Sequence, residues 1–400
     1  MQRDLGDIAA STTVYRDAIA AAPDEIGRCR AQIGLAEGLR VSEGLAEALE
    51  LLNAAQQAAE RHDLVTELAR LHHLRGNIFF PLGNIEGCRE EHEKGLGYAR
   101  RSGSAEAEAR SRGGLADAAY AQGRMRTAFE HFHRCVELSR ENGFGRIEVA
   151  NCSMVGFSRL YLNEPRQARE DGAAAVRAAA LVGQPRAEML GERMGVYASH
   201  ELGEYDAMRV HLEREMRLIR QLGARRFEAQ NLEMQGRILL ETGRREDAVA
   251  LLREALTMCR DVGAQFSGPR ACGALSRAVE DAAERDRLLA EGEELLGRGA
   301  VGPNHLEFYR DAIEATLAAG DAEGALRYAG MLEEYTRPEP LPWSELFIAR
   351  GRALARVSQG AVDEILKNEL DRIRTALANA GLRPFLAPVE DQLDETSFAG

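Results

Sequence analysis

Lysine is almost missing from this chain. Two lysines, Lys94 and Lys367, stand against 49 arginines. Schiff-base chemistry and the phosphate-holding lysine of a P-loop therefore have almost no residue to use, and no GxxxxGK[ST] segment occurs. Net positive charge is lacking too. At −13 the chain has the wrong sign for the phosphates of nucleic acid and for an anionic membrane surface. No apolar run reaches the roughly 18 residues that span a bilayer, and the opening Met1-Gln2-Arg3-Asp4-Leu5-Gly6-Asp7 has no apolar signal region. Cys29, Cys88, Cys135, Cys152, Cys259 and Cys272 form no CxxC pair and share no metal-site spacing with histidine. They read as reduced structural thiols of a cytoplasmic protein, and nothing here calls for a metal or a cofactor.

What is present is helix-forming and periodic. Hydrophobic residues make up 45% and charged residues 29%, a folded and water-compatible composition. Gly103, Gly143, Gly183, Gly223 and Gly263 recur every 40 residues. A second series, Gly83, Gly123, Asn163, Gly203 and Gly243, keeps the same interval. Asn is its one exception, and Asn tolerates the left-handed conformation next best after Gly. Two turns per 40 residues predict two helices per repeat, A and B. Glu108, Glu148, Glu188 and Glu228 fall in the first turns of successive A helices, where a carboxylate suits the helix dipole. Leu115, Ala116, Ala119, Ala128, Phe132 and Cys135 mark a packed seam in which small residues let helices approach. Gln32, Leu35, Ala36, Leu39, Ala48, Leu52 and Ala55 mark another.

Gly236…Gly243-Arg244-Arg245-Glu246-Asp247-Ala248…Leu252…Ala255 and Gly76…Phe79…Gly83…Cys88…His92 resemble the tetratricopeptide repeat (TPR), in a longer form than its usual ~34 residues. The resemblance implies an all-α, right-handed superhelical solenoid of TPR-like helix pairs, with A helices on the concave side. The expected organisation is a half repeat over 1–23, then helix pairs over 24–62, 63–103, 104–143, 144–183, 184–223 and 224–263. Irregular TPR-like repeats follow over 264–337, a C-terminal helical pair over 338–380 and a polar tail over 381–400. Pro338-Glu339-Pro340-Leu341-Pro342 stops helix formation, and Trp343 opens the next helix and packs across that linker. Helix A of the first repeat is absent or reduced to residues 1–5, so the chain reads as cut from a longer protein.

A narrower resemblance rests on Arg75-Gly76-Asn77-Ile78-Phe79-Phe80-Pro81-Leu82-Gly83-Asn84, Gly143-Phe144-Gly145-Arg146-Ile147-Glu148-Val149-Ala150-Asn151, Leu160-Tyr161-Leu162-Asn163-Glu164 and Phe308-Tyr309-Arg310-Asp311-Ala312-Ile313-Glu314. These segments are similar to the C-terminal TPR region of bacterial class III adenylate/guanylate cyclase–ATPase–TPR proteins. That resemblance implies a preceding cyclase/ATPase portion, which this sequence does not contain.

Concave positions implied by the TPR resemblance give the candidate partner-binding residues. They are Arg70, His73, Asn77 and Phe80, then Arg110, Asp117 and Tyr120, then Phe157 and Tyr161, then Arg193, Tyr197 and His200, then Arg237. Arginine and aromatic residues are common binding anchors. The clamp that holds acidic chaperone tails needs Asn in consecutive repeats, and Asp117 stands where the second is required. Arg146, Arg186 and Arg226, at 40-residue spacing, form a ladder. It either grips an acidic partner segment or pairs with glutamates between repeats. His72, His73 and His92 with Cys88 are the nearest approach to a metal set, but His72 and His92 occupy large packing positions. No nucleophile–base or paired-carboxylate spacing supports catalysis. The expected function is a protein-interaction or sensor module, not an enzyme, serving a cyclase/ATPase signalling protein. Rival readings are the small-molecule sensor arm of a transcription activator and a cytoplasmic receptor for a signalling peptide.

Overall fold

The turns that punctuate the sequence are left-handed. In the computed structural model, which describes residues 8–41, 44–361 and 363–396, Gly103, Gly143, Gly183 and Gly223 have φ of 67, 73, 63 and 62°. Gly103 N–H donates to Arg100 O (3.2 Å) and Ser104 N–H to Ala99 O (3.1 Å), closing the helix end with backward bonds. Asn163, the exception in the glycine series, has φ 62°. It closes its helix the same way, through Asn163 N–H to Leu160 O (3.2 Å) and Glu164 N–H to Arg159 O (3.3 Å).

Between these turns the described residues are helical, and no strand occurs among them. Helix α1 (Ile8–Ala20) is followed by pairs of A and B helices. These are α2 and α3 (Glu25–Val41, Leu45–Arg61), α4 and α5 (Val65–Phe79, Ile85–Ser102), and α6 and α7 (Ala105–Ala121, Met125–Asn142). Next come α8 and α9 (Gly145–Leu160, Pro165–Leu181), α10 and α11 (Pro185–Glu201, Tyr205–Leu222), and α12 and α13 (Arg225–Glu241, Arg245–Val262). Three further pairs follow: α14 and α15 (Gly268–Ala278, Ala282–Gly297), α16 and α17 (Gly302–Ala318, Ala322–Thr336), and α18 and α19 (Pro342–Ser358, Glu364–Ala380), with α20 (Ala387–Thr396) last. The array is a TPR-like succession of helix pairs. The expectation for residues 1–5 lies outside the described residues.

The chain divides into two compact units: residues 1–119 with 130–151, and residues 120–129 with 152–400. In unit 1, Leu35, Ala36, Leu39, Ala48, Leu52 and Ala55 are buried in one apolar cluster with Leu68, Leu71 and Ile78; Gln32 of the expected seam is half-buried. Of the other seam, Leu115, Ala116, Ala119, Phe132 and Cys135 are buried, as is Ala128 in unit 2. Small residues do the work the pattern implies. Gly76 faces the His92 ring, where a Cβ would come within 2.6 Å, and Gly114 faces it more closely still.

Unit 2 has the larger core, built on α14, α16 and α18. Trp343 lies in the first turn of α18, and its ring packs edge-on against Tyr161, which follows α8 (centroids 5.3 Å apart), and on Phe347 (4.7 Å). The segment read as a polar tail is corrected in part. Leu382, Phe385 and Val389 are fully buried, because they carry the apolar side of a short 3-10 turn and α20 into the core of α18 and α19.

Candidate functional site

The residues expected on a concave face meet two different fates. In unit 1, Arg70, His73, Asn77 and Arg110 line a cleft of about 400 Å³. His73, Asn77, Arg110, Asp117 and Arg146 line an adjoining one of about 470 Å³, together with Glu37, Arg40 and Asn151. Glu37, Arg40, His73, Asn77 and Arg110 border both, so the two run into one another. Helical spacing explains this. His73 and Asn77 are one turn apart on α4, and Arg110 and Asp117 lie two turns apart on α6. Phe80 caps α4, is exposed and lines neither cleft.

Charge in the clefts is only partly neutralised. Arg70 pairs with Glu37, and Arg110 with Glu106 at 2.8 Å. Asn77 Nδ2 lies 3.0 Å from His73 Nε2. Arg40 and Arg146 have no ion-pair partner among the described residues, and Arg40 Nε and His73 Nδ1 are buried without a hydrogen bond. Asp117 is half-buried and has no hydrogen bond or ion pair among the described residues either. Burial pushes its carboxyl up to about 7. Burial, reinforced by His92 and nearby arginines, pushes His73 well below the ordinary imidazole value, so its ring is neutral. Beyond the Arg70–Glu37 and Arg110–Glu106 pairs, the cleft therefore presents two guanidinium groups and one carboxyl group without a partner among the described residues, an uncharged imidazole and two amides.

The histidine set converges only in part: the His73 and His92 rings lie 5.3 Å apart, while His72 turns to Glu91. His72 Nδ1 lies 2.8 Å from Glu91, which also receives Arg75 (3.1 Å) and Lys94 (2.9 Å). Burial raises Glu91, but the bonds from His72 and Lys94 outweigh it and bring it to about 2. His92 is held near 4 by burial. Burial, then the charge of Asp117, pushes Cys88 up to about 12. Among the described residues no group of three or more His, Cys, Asp or Glu is placed to hold a metal ion.

In unit 2 the concave positions are not an open face, which corrects the expectation for that stretch. Phe157, Tyr161, Arg193, His200 and Arg237 are buried, and Tyr120 and Tyr197 are half-buried against the core. The chain's own α14, α16 and α18 supply what a partner was expected to supply. Arg237 donates to Asp311 of α16 at 3.0 and 2.5 Å and to Glu233 at 2.7 Å. Arg310 of α16 donates to Glu201 (2.9 Å) and Glu307 (2.5 Å). Arg270 of α14 donates to the Tyr197 hydroxyl at 2.7 Å, and the α18 backbone at Trp343 donates to Tyr161 O at 3.4 Å. His200 Nδ1 is 3.3 Å from Glu201. Arg193 pairs with Glu215 and donates to Phe227 O (3.0 Å). Only about 10 Å³ of space is left among these groups. Glu339 adds a cap from far along the chain, its carboxylate accepting from Arg126 N–H (2.8 Å) and Thr127 N–H (3.3 Å) at the start of α7.

The arginine ladder does not pair with glutamates. Arg146, Arg186 and Arg226 have no ion-pair partner among the described residues, and Glu148 accepts from Arg140 instead (2.9 Å). Arg186 and Arg226 both lie over the Phe227 ring, at 5.6 and 5.2 Å from its centroid. Arg146 joins the unit 1 cleft. The residues that sequence reasoning missed are Arg40 and Asn151. Arg40 lies on α2, outside the positions carried over from the repeat pattern. Asn151 is part of a quoted motif but was not placed on the concave side.

No helix among the described residues is long and apolar enough to cross a membrane. Two solved structures share the fold. The apo form of RapI is 13% identical, with a TM-score of 0.52 over 72% of this chain and 97% of that one. A Rap protein complexed with competence and sporulation factor is 10% identical, with a TM-score of 0.62 over 83% of this chain and 98% of that one. At such identities they speak for the fold alone. The comparison with curated proteins gives no match. The model of the MalT-like TPR region matches residues 4–267, well over half of the chain. With its left-handed turns every 40 residues and its paired helices, the chain belongs to the MalT-like TPR region family.

Proposed function

We propose that this chain is a peptide- or protein-recognition module that binds in the unit 1 cleft and acts as the sensing part of a larger bacterial signalling protein in the cytoplasm. One observation carries the reading. The unit 1 cleft is open and holds unneutralised charge of both signs, whereas the matching A-helix residues of unit 2 are covered by α16 and α18. A charged cleft of several hundred Å³ is of a size to take a short segment. The bound factor in the Rap complex supports a signalling peptide as the occupant. The similarity of residues 75–84 and 143–151 to cyclase–ATPase–TPR proteins supports a host of that kind. The role assigned to the chain is binding, with no catalytic step of its own.

The test is a random-peptide library screened against the full chain, followed by calorimetry of the best binder on wild type and on Ala150→Trp. Ala150 is an exposed residue of the cleft wall, so the larger ring fills the cleft without disturbing a core. Binding that is lost on Ala150→Trp supports the proposal. A library without binders, or a binder indifferent to Ala150→Trp, overturns it. The cleft volume also suits a small molecule. That second reading, a sensor arm of a transcription activator, gains if metabolites but no peptides raise the melting temperature.

A further inference from the structure

Buried carboxylates in this chain are consistently matched by cations. Glu91, Glu192, Glu201, Glu215, Glu233 and Asp311 are each buried, and each has an arginine or histidine within ion-pair distance. Asp117, less deeply buried than these, has no such partner among the described residues. It is half-buried, it faces the unit 1 cleft, and no donor among the described residues reaches it. Leaving such a group unmatched costs free energy that a ligand cation would return.

The opposite charge is also left over. Arg70 and Arg110 are neutralised by Glu37 and Glu106, whereas Arg40 and Arg146 have no ion-pair partner among the described residues. With the Asn77 amide donating to Nε2, neutral His73 carries its proton on Nδ1, which is buried without an acceptor. The unmet groups thus ask for one cation and for acceptors of negative character. Gly113 and Gly114 form the wall beside Asp117. A single carboxylate in such a wall suits a compact point charge better than a planar guanidinium fork.

We propose that the unit 1 cleft reads a primary ammonium group of its peptide at Asp117 and a carboxylate of the same peptide at Arg40 and Arg146. This rests on the peptide-recognition reading above. The ammonium has two sources, the peptide's free N-terminus or a lysine side chain.

The test takes the best library binder in three forms: unmodified, N-acetylated, and with each lysine replaced by norleucine. Each is titrated against the full wild-type chain and against Asp117→Asn, whose folding is checked by its melting curve. One blocked form loses affinity on wild type by about tenfold or more, as expected for a lost charge-assisted contact. Asp117→Asn binds all three forms equally, at the weakened level. Loss on acetylation identifies the N-terminus, and loss with norleucine identifies lysine. If both blocked forms bind wild type as well as the unmodified peptide, the inference is overturned, while sensitivity to Ala150→Trp still keeps the cleft as the site. If Asp117→Asn leaves the discrimination intact, the cation is read elsewhere and the inference is likewise overturned.

Discussion

Arg237 of α12 grips Asp311 of α16 through both terminal nitrogens, at 3.0 and 2.5 Å, across 74 residues of sequence, and both side chains are closed to solvent. Arg237→Met takes the main cation from Asp311 and one of two from Glu233, which keeps Arg270. Unfolding in urea is expected to show a loss of about 3–5 kcal/mol. Arg237→Met with Asp311→Leu removes both charges together and recovers most of that loss. If the single variant is as stable as wild type, α16 is not held on α12 in this way.

Asp117 makes the reverse prediction, a stabilising substitution. Its folded carboxyl titrates near 7 against an ordinary 3.8, through burial. A raised pKa penalises the ionised form, so the penalty is absent below about pH 4, grows between about pH 4 and 7, and is complete above. The titratable and charged groups around it are His73, Cys88, Glu37, Arg40, Arg110 and Arg146. Asp117→Asn is expected to gain roughly 2 kcal/mol at about pH 8, after allowance for water in the open cleft, and little at about pH 4. Paired urea titrations at those values check it, and an equal effect at both contradicts it.

His92 is fully buried, neutral and wedged against Gly76 and Gly114. Gly114→Ala forces a methyl into the ring and is expected to cost about 1–3 kcal/mol. Combining it with His92→Ala relieves the overlap, so the pair should show less than the sum of the single losses in thermal unfolding.

Arg146 and Arg186 occupy the same register 40 residues apart, yet Arg146 lines the unit 1 cleft while Arg186 lies over Phe227 in unit 2. Arg146→Glu is expected to weaken peptide binding about tenfold or more, and Arg186→Glu to leave it within twofold of wild type. Calorimetry with the library peptide separates them.

Much of the fold is legible because left-handed turns need particular residues. Gly103 and its relatives, with Asn163 standing in once, mark helix ends through their own backbone preferences. Other features are settled by residues far apart in sequence. Nothing local in Glu339 says that it caps α7, or in Phe385 that it is buried. The same limit applies to the site. His73, Asn77 and Asp117 can be named from repeat register, but so can Tyr161, His200 and Arg237, and periodicity is blind to whether α16 and α18 cover a face. That Arg40 and Asp117 lack partners among the described residues follows only from the three-dimensional placement of the charges around them.

Hydrogen–deuterium exchange on the full chain, with and without the library peptide, tests the central claim most directly. Binding in the unit 1 cleft should slow exchange in α2, α4, α6 and the first turns of α8, which carry Arg40, His73, Asp117 and Arg146, and leave α16 and α18 unchanged. Protection confined to α10 through α18, with α4 and α6 unaffected, would contradict it.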